Sequence, residues 1–182
     1  MDVIKGHQWY ESWFNSPYYH ILYKNRNDED ARLFLDNLIE YLKPAPDSSF
    51  LDMPCGKGRH SIYLNNKGYN VTGIDLSEES ILAAQQHENA TLEFYKHDMR
   101  NIFRTNYYHY VLNLFTSIGY FERDSENAHV VNAAAKALKS NGILVIDFMN
   151  AAKIIANLVE KEHKRVEGIN FEIERYVEDG FI

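Results

Sequence analysis

Short apolar runs alternate with segments of helical periodicity through most of the chain. Each run is bounded by turn residues and is too short for a buried helix, so the pattern predicts strands. The predicted strands begin at Phe50, Val71, Thr91, Tyr108 and Ile143. Helices are predicted over 27–42, through Ile62 and Leu64 to Lys67, over 78–88, and from Asp124 to Leu138. This alternation predicts an α/β fold with helices on both faces of a mostly parallel sheet.

The first strand runs into a turn with glycines two residues apart, Gly56 and Gly58, and the second strand ends on an acid, Asp75. Glycine lacks a Cβ, so the backbone can turn sharply and a ligand can lie against it. A carboxylate at the tip of the second strand can accept both hydroxyl hydrogens of a ribose. The order of strand, glycine turn, helix, strand and acid is typical of a nucleotide-binding βαβ half. The alternative is that the glycines only shape a turn and Asp75 caps the following helix.

The identity of the nucleotide depends on two positions around the turn. The dinucleotide fingerprint has a third glycine or alanine where this chain has Ser61, and an acid, Asp52, ends the first strand. A carboxylate there would repel a pyrophosphate and attract a cationic ligand with an ammonium group. The pattern therefore favours a sulfonium amino acid over a dinucleotide.

These residues resemble the motifs of the class I S-adenosylmethionine-dependent methyltransferases. The segment 51–58 is similar to their first motif and 73–77 to their second, with further similarity at 97–100, 111–115 and 142–147. The resemblance covers about residues 50 to 150. Pro54 replaces the first glycine of the motif, which removes one backbone N–H that could bind a ligand.

The resemblance implies a Rossmann-like, doubly wound sheet with strand order 3-2-1-4-5 and a helical flap at the amino end. It implies S-adenosyl-L-methionine as the cofactor and methyl transfer to a small-molecule acceptor by direct in-line displacement. Such a reaction asks the protein mainly to align the acceptor and exclude water, so no catalytic residue is assigned. Two alternatives stay open: a non-catalytic S-adenosylmethionine-binding or partner module, and an NAD-dependent oxidoreductase.

Site residues follow from the same resemblance. Asp75 is expected to hold the ribose, Asp98 to accept a hydrogen bond from the adenine amino group, and Met99 to pack on the adenine ring. A simple turn aspartate is the alternative for Asp98. The expected cofactor-binding residues are Tyr19, Tyr23, Arg26, Asp52, Cys55, Gly56, Gly58, Arg59, Asp75, Leu76, Asp98, Met99 and Phe115. The expected substrate pocket contains Tyr18, Thr116 and Tyr120, beside Phe121.

Residues 7–23 hold an unusual density of aromatic rings, ahead of any predicted strand. Large amphipathic rings favour a flap that covers the cofactor and lines a substrate pocket, and an ordinary packing helix is the alternative. The resemblance implies that Tyr18, Tyr19, Tyr23 and Arg26 lie over the cofactor. Arg26 is a candidate partner for the methionine carboxylate, or else a solvated charge.

Composition narrows the class of protein further. The chain has 182 residues and a formal net charge of −7, which predicts one domain and disfavours nucleic acid as a partner. A single cysteine, Cys55, fits a reducing cytoplasm, and no apolar run is long enough to span a bilayer. His7, His20, His60 and His97 show no metal-ligand spacing, so no metal is expected and solvated or core histidines are the preferred interpretation.

The carboxyl end alternates apolar and polar residues from Phe171 to Val177, which predicts a strand, and Asp179-Gly180 predicts a tight turn after it. Only two residues follow that turn, and a return strand of two residues cannot hold a hairpin. We therefore expect one domain with three parts: a helical cap over 1–45, a cofactor-binding core over 48–150, and the start of a truncated β insertion over 151–182. The edge strand left by the missing strands is expected to favour a homodimer.

Overall fold

The structure, a computed structural model, describes residues 9–14, 16–22 and 28–178. Its helices are α1 (Trp9–Phe14), α2 (Pro17–Leu22), α3 (Asp28–Leu42), α4 (Arg59–Asn66), α5 (Glu78–Ala84), α6 (Asp124–Ala137) and α7 (Ala151–Ala156). Its strands are β1 (Ser49–Asp52), β2 (Asn70–Asp75), β3 (Leu92–Lys96), β4 (Tyr108–Asn113), β5 (Leu138–Ile146), β6 (Lys161–Val166) and β7 (Ile169–Glu174). A turn of 3₁₀ helix, Gln85–His87, follows α5.

The first five strands form one sheet in the order β3-β2-β1-β4-β5, and every pairing in it is parallel. The central strand pairs Phe50 with Val71 on one side and with Tyr110 on the other. Successive strands are added on one side of β1 up to β3 and on its other side from β4 onwards. This switch creates a crevice between β1 and β4 of the kind where open α/β sheets bind ligands. The predicted fold class and strand order are confirmed.

Helices cover both faces of this sheet, and alternate residues of β1 point to opposite sides. Phe50 packs in a core with Leu35 of α3 and Leu64 of α4, whereas Leu51 packs in a second core with Val130 of α6. The side chains of these apolar residues are at most 2% exposed, as the buried strands of a three-layer α/β domain require.

The boundary between α6 and β5 differs from the prediction. The helix ends at Ala137 and not at Leu138, and the strand begins at Leu138, five residues before the predicted start. Leu138 pairs with Tyr108, and the register then shifts before Ile143 pairs with Tyr110, so residues between them form an irregular stretch of the strand. The amino end of α6 also differs, because Arg123 occupies the cap position and Asp124 is the first helical residue.

The carboxyl-terminal segment forms an antiparallel hairpin of β6 and β7, which the sequence did not predict. Glu167 and Gly168 connect the strands with φ of 51° and 82°. Positive φ at both central residues is the geometry of a two-residue hairpin turn that matches strand twist. The predicted strand in this region is thus paired with the segment before it, and the predicted turn at Asp179-Gly180 lies outside the described residues.

The predicted start of α5 agrees with the structure, but its end does not: the α-helix ends at Ala84, and the 3₁₀ turn after it ends at His87, whereas a helix was predicted to residue 88. Ser77 caps α5, because its Oγ accepts a hydrogen bond from the Ser80 N–H at 3.2 Å. The predicted cap residue Asn27 lies outside the described residues. Across the ranges that the structure describes, none of the helices combines the length and apolar character needed to cross a bilayer.

Candidate active site

A cavity of about 500 Å³ opens where β1, β2, β3 and β4 end, at the carboxyl edge of the sheet. Each of these strands contributes the residues that directly follow it. The lining consists of Tyr10, Phe14, Tyr19, Pro54, Cys55, Gly56, Lys57, Arg59, His60, Asp75, Leu76, Ser77, Ser80, His97, Asp98, Met99, Leu114, Phe115, Ser117, Tyr120 and Phe121. One end is polar and the other is walled by aromatic rings.

Asp75 is fixed in the polar end by backbone hydrogen bonds. The Gly56 N–H donates to Oδ2 and the Ser77 N–H donates to Oδ1, both at 2.8 Å. Burial raises the pKa of Asp75, and these backbone bonds oppose that rise. Since Ser77 is the cap of α5, Asp75 does not serve as that cap, and its remaining lone pairs are available to a ligand.

The two glycines of the turn have different surroundings. Gly56 lines the cavity with φ of +55°, and a Cβ added there would meet no atom within 4 Å. Gly58, with φ of +82°, lies behind the turn, where an added Cβ would come within 2.7 Å of the Phe94 ring and 3.2 Å of the Ala84 Cβ. Gly56 therefore leaves open space at the cavity, and Gly58 permits close packing of turn and helix.

Asp52 lies beneath the turn and does not reach the cavity surface. Its side chain is fully buried, and Oδ2 accepts a hydrogen bond from the Ser61 Oγ at 2.6 Å. Oδ1 has no hydrogen-bond partner among the described residues, and burial raises the pKa of Asp52 to about 7. Cys55, by contrast, lines the cavity, and burial raises the pKa of its thiol well above the usual value.

Asp98 lines the polar end and is held by the side chain of Arg100. The Arg100 Nη2 donates to Oδ2 at 2.6 Å, and the backbone N–H of Arg100 donates to Oδ1 at 2.9 Å. Burial alone would raise the pKa of Asp98, but the hydrogen bonds from Arg100 outweigh it and lower the pKa. Asp98 is therefore both a turn aspartate and an ionised group at the cavity, next to Met99.

The segment after β4 turns sharply at the middle of the cavity. Phe115 and Thr116 both have positive φ, 61° and 55°, and the Asp147 carboxylate accepts the Phe115 N–H at 3.0 Å. Phe115 lines the cavity, with the Arg59 guanidinium 4.9 Å from its ring centroid and the His60 ring 5.1 Å away. Thr116 does not line the cavity, whereas Leu114, Phe115 and Ser117 of the same segment do.

The aromatic end is built by α1, α2 and the loop before α6. Phe14 packs edge to face on Tyr19 and Tyr120, at 4.9 and 5.4 Å between ring centroids, and Tyr10 packs on Phe121 at 5.5 Å. Tyr18 is 54% exposed and does not line the cavity, since it lies on the outer side of α2.

The predicted site residues thus divide into three groups. The cavity brings together Tyr19, Cys55, Gly56, Arg59, Asp75, Leu76, Asp98, Met99, Phe115 and Tyr120. Tyr18, Asp52, Gly58 and Thr116 lie elsewhere, as described above. Tyr23 and Arg26 lie outside the described residues.

Several lining residues were not predicted as site residues. Ser77 and Ser80 come from the start of α5, and Lys57 and His60 from the turn and α4. The histidine is 7% exposed, and burial lowers its pKa to about 4. A search for residues directly after each predicted strand would have found Lys57, Ser77 and His97, but no signal in the sequence directs the His60 ring to the cavity.

This arrangement fits S-adenosylmethionine. A carboxylate at the tip of β2 suits a ribose, an ionised Asp98 with one acceptor site left suits an exocyclic amino group, and Gly56 leaves room for a ligand against the turn. Ser61 occupies the position of the third dinucleotide glycine, and its hydroxyl bonds to buried Asp52, which does not suit a pyrophosphate.

Fold and site together define a class I S-adenosylmethionine-dependent methyltransferase domain. The family model described as "Methyltransferase domain" matches residues 50–142, half of the chain, and the chain belongs to this family. S-adenosylmethionine is the cofactor of the family.

Named relatives are similar over the same region. YqeM of Bacillus subtilis, which carries a provisional name as a methyltransferase, is 36% identical over 109 residues, or 57% of this chain and 43% of YqeM. The dTDP-3-amino-3,4,6-trideoxy-alpha-D-glucopyranose N,N-dimethyltransferase of Streptomyces venezuelae is 30% identical over 55% of this chain and 42% of its own. The solved sugar N-methyltransferase KedS8 of Streptoalloteichus has a TM-score of 0.61 at 28% identity, over 72% of this chain and 53% of that one. The chain spans about half the length of the curated relatives it matches.

Proposed function

We propose that this protein transfers the methyl group of S-adenosylmethionine to a small-molecule acceptor. One observation carries the proposal: a single cavity at the carboxyl edge of the sheet joins a polar end with Asp75 and Asp98 to an aromatic end. The polar end is the adenosine site, with Asp75 at the ribose hydroxyls and Asp98 at the adenine amino group. Phe115, between the two ends, adjoins the reacting centre.

The residues of this chain align the acceptor and exclude water. S-adenosylmethionine, when bound, supplies an electrophilic methyl group on a sulfonium, so a positioned acceptor lone pair is the main requirement. His60 is a poor candidate for a general base, because burial holds its pKa near 4 and its Nε2 is buried. An amine with a free lone pair is the acceptor that needs least help from such a site.

Amino sugars are the first acceptors to test. The names of two similar proteins specify sugar N-methylation, which supports this choice. The aromatic end of the cavity suits the apolar face of a sugar ring. The alternative, a non-catalytic binding module, would bind the cofactor without turning over any acceptor.

The proposal includes the domain organisation, the location and the assembly. Residues 1–45 act as a helical cap, 48–150 as the cofactor-binding core, and the segment from 151 belongs to a β insertion. A single buried cysteine fits the cytoplasm, and an exposed edge strand supports a homodimer.

Binding of S-adenosylhomocysteine to an Asp75→Ala variant tests the cofactor site. The loss of hydrogen bonds to a charged group should weaken binding by roughly 1.5–3 kcal/mol. Isothermal titration calorimetry measures the change, and Asp36→Ala serves as a control because Asp36 pairs with Lys67 away from the cavity.

Two results would contradict the proposal. An unchanged dissociation constant in Asp75→Ala would show that Asp75 does not bind the ribose. Tighter binding of NAD than of S-adenosylmethionine would show that NAD is the cofactor. Turnover of a panel of amines, hydroxyls and thiols, measured as S-adenosylhomocysteine release, then separates an enzyme from a binding module.

A further inference from the structure

Arg100 lies behind the cavity wall and joins three groups. Its Nε and Nη2 donate to both oxygens of Asp98, at 3.0 Å and 2.6 Å to Oδ2 and 3.1 Å from Nε to Oδ1. Its Nη1 donates to the Glu126 carboxylate of α6. Its guanidinium carbon is 4.8 Å from the ring centroid of Phe121, and its side chain is 18% exposed.

Two of the three partners line the cavity, and they differ in chemical character. Asp98 lines the polar end, and Phe121 lines the aromatic end. Phe121 in turn packs edge to face, at 84° between ring planes, on Tyr10 of α1. A single side chain therefore connects the carboxylate of the adenosine end to the helix that walls the acceptor end.

The chemistry of arginine suits this double contact. Its planar fork binds a carboxylate with two parallel N–H groups while its face stacks on a ring, and lysine can do only one of these at a time. Asp98 accepts three N–H groups of Arg100, with the Nε–H shared between both oxygens, so about one of the roughly four acceptor sites of the carboxylate stays available. A ligand amino group bound to Asp98 would donate to the same carboxylate as Arg100. Hydrogen bonds that share a group polarise one another, so ligand binding at Asp98 would change the bonds of the guanidinium that lies over Phe121.

We propose that Arg100 is a positioning residue that couples ligand occupancy at Asp98 to the seating of α1 on Phe121. This inference rests on the proposed function, since the ligand at Asp98 is the adenine of the cofactor. Cofactor binding then completes the aromatic wall before an acceptor enters. A purely structural role is the simpler explanation: Arg100 would only tie the β3–β4 loop to Glu126 of α6.

Arg104 provides a matched control in the same loop. It pairs with Glu93 at 2.9 Å and lies over the rings of Tyr95, Phe103 and Tyr107 at 4.9 to 5.5 Å, but none of these residues lines the cavity. Arg104→Lys and Arg100→Lys therefore make the same chemical change to similar ion-pair and stacking contacts. Of the contacts named for the two arginines, only those of Arg100 are made directly to residues that line the cavity.

The experiment uses S-adenosylhomocysteine as the probe and α1 as the reporter. Both tryptophans of the chain, Trp9 and Trp13, belong to α1, so intrinsic fluorescence follows this helix. Arg100→Lys should weaken binding about tenfold, within the range of allosteric coupling, and abolish the fluorescence response. Arg104→Lys should leave affinity and response at the wild-type values.

Phe121→Leu completes a double-mutant cycle. It should weaken binding severalfold when Arg100 is present and add little in Arg100→Lys, because the coupling is already broken. Additive effects, or equal behaviour of the two lysine variants, would overturn the proposal.

A ligand-free measurement separates this inference from the proposed function. Without any ligand, hydrogen exchange across residues 9–22 should be faster in Arg100→Lys than in the wild type and unchanged in Arg104→Lys. If wild-type protein fails to bind S-adenosylhomocysteine, the proposed function is wrong, and this exchange comparison alone decides whether Arg100 holds α1. Equal exchange in all three proteins would overturn the positioning role.

Discussion

Two buried side chains, Asp52 and His60, give the stability of the protein opposite dependences on pH. Burial raises the pKa of Asp52 from 3.8 to about 7, so between these values the native state holds a proton that the unfolded state has lost. Stability from this group therefore falls as pH rises through that window. Burial lowers the pKa of His60 from 6.5 to about 4, so stability from this group rises with pH across that window.

The two effects should cancel between about pH 4.5 and 6.5 in the ligand-free protein, because one proton is released and one is taken up on unfolding. Asp52→Asn removes one of them. The melting temperature of this variant should then rise with pH across the window, with a slope of about 1.4 kcal/mol per pH unit in unfolding free energy. The wild type should have the flatter profile, and the difference between the two profiles measures Asp52, because Asp75 also has a raised pKa and its charge acts on Asp52.

Asp36→Asn is the control for this pH series. The Lys67 ammonium lowers the pKa of Asp36, so this group does not titrate in the chosen window. Thermal melts at half-unit intervals of pH measure the effect. Parallel pH profiles for Asp52→Asn and wild type would show that Asp52 is already ionised in the folded protein.

At this scale the sequence predicted the position of residues that directly follow a strand. Asp75 and Gly56 end a strand and open a turn, so position alone directs them to the sheet edge. Gly58 was assigned to the ligand because the motif contains it, but its φ and its contact with Phe94 assign it to packing. Arg100, for which we propose a positioning role, was not a candidate because its contact with Phe121 depends on the fold and has no signal in the sequence.

The two glycines of the turn, Gly56 and Gly58, differ in what surrounds them. A side chain at Gly56 would be strained by the φ of +55°, but its Cβ would contact no other atom. At Gly58, where φ is +82°, an added Cβ would also collide with the ring of Phe94. Gly56 faces open space in the cavity, and Gly58 packs against the core. We therefore expect a substitution at Gly56 to affect mainly ligand binding and one at Gly58 to affect mainly stability.

Alanine substitutions at the two glycines should separate these tasks. Gly56→Ala should weaken S-adenosylhomocysteine binding at least tenfold while lowering stability by about 1–2 kcal/mol from backbone strain. Gly58→Ala should lose more stability, because overpacking adds roughly 1–3 kcal/mol to the same strain. Chemical denaturation and calorimetry provide the two measurements, and the reverse ranking in stability would contradict the packing role of Gly58.

Element boundaries were predictable where a local signal exists. Ser77 caps α5 as its side chain chemistry predicts. The start of β5 was wrong because Asn141-Gly142 looks like a helix end, while pairing of Leu138 with Tyr108 draws these residues into the sheet. The β6–β7 hairpin was missed because Glu167-Gly168 is a weaker turn signal than Asp179-Gly180, although only these two residues separate the paired strands.

For the molecule as a whole, the strand order leaves β5 at the edge of the sheet. In the part of the chain that the structure describes, no strand pairs with its outer side. Ile143 and Ile146 of this strand are 41% and 42% exposed, and Phe148 just beyond it is 52% exposed. The strand order that creates this edge was predictable from the family motifs.

An exposed apolar edge strand tends to pair with a second chain, because its outer N–H and C=O groups are unpaired. We therefore expect the 182-residue chain to form dimers in a concentration-dependent manner through β5. Ile146→Lys should shift the equilibrium towards monomers, since a lysine on an edge strand must lose its hydration when another strand docks. Leu82→Lys is the control, because Leu82 of α5 is 58% exposed and far from the edge in the sheet order. Sedimentation velocity over a hundredfold range of concentration measures the assembly, and dimers that persist equally in both variants would mean that a different surface holds the two chains together.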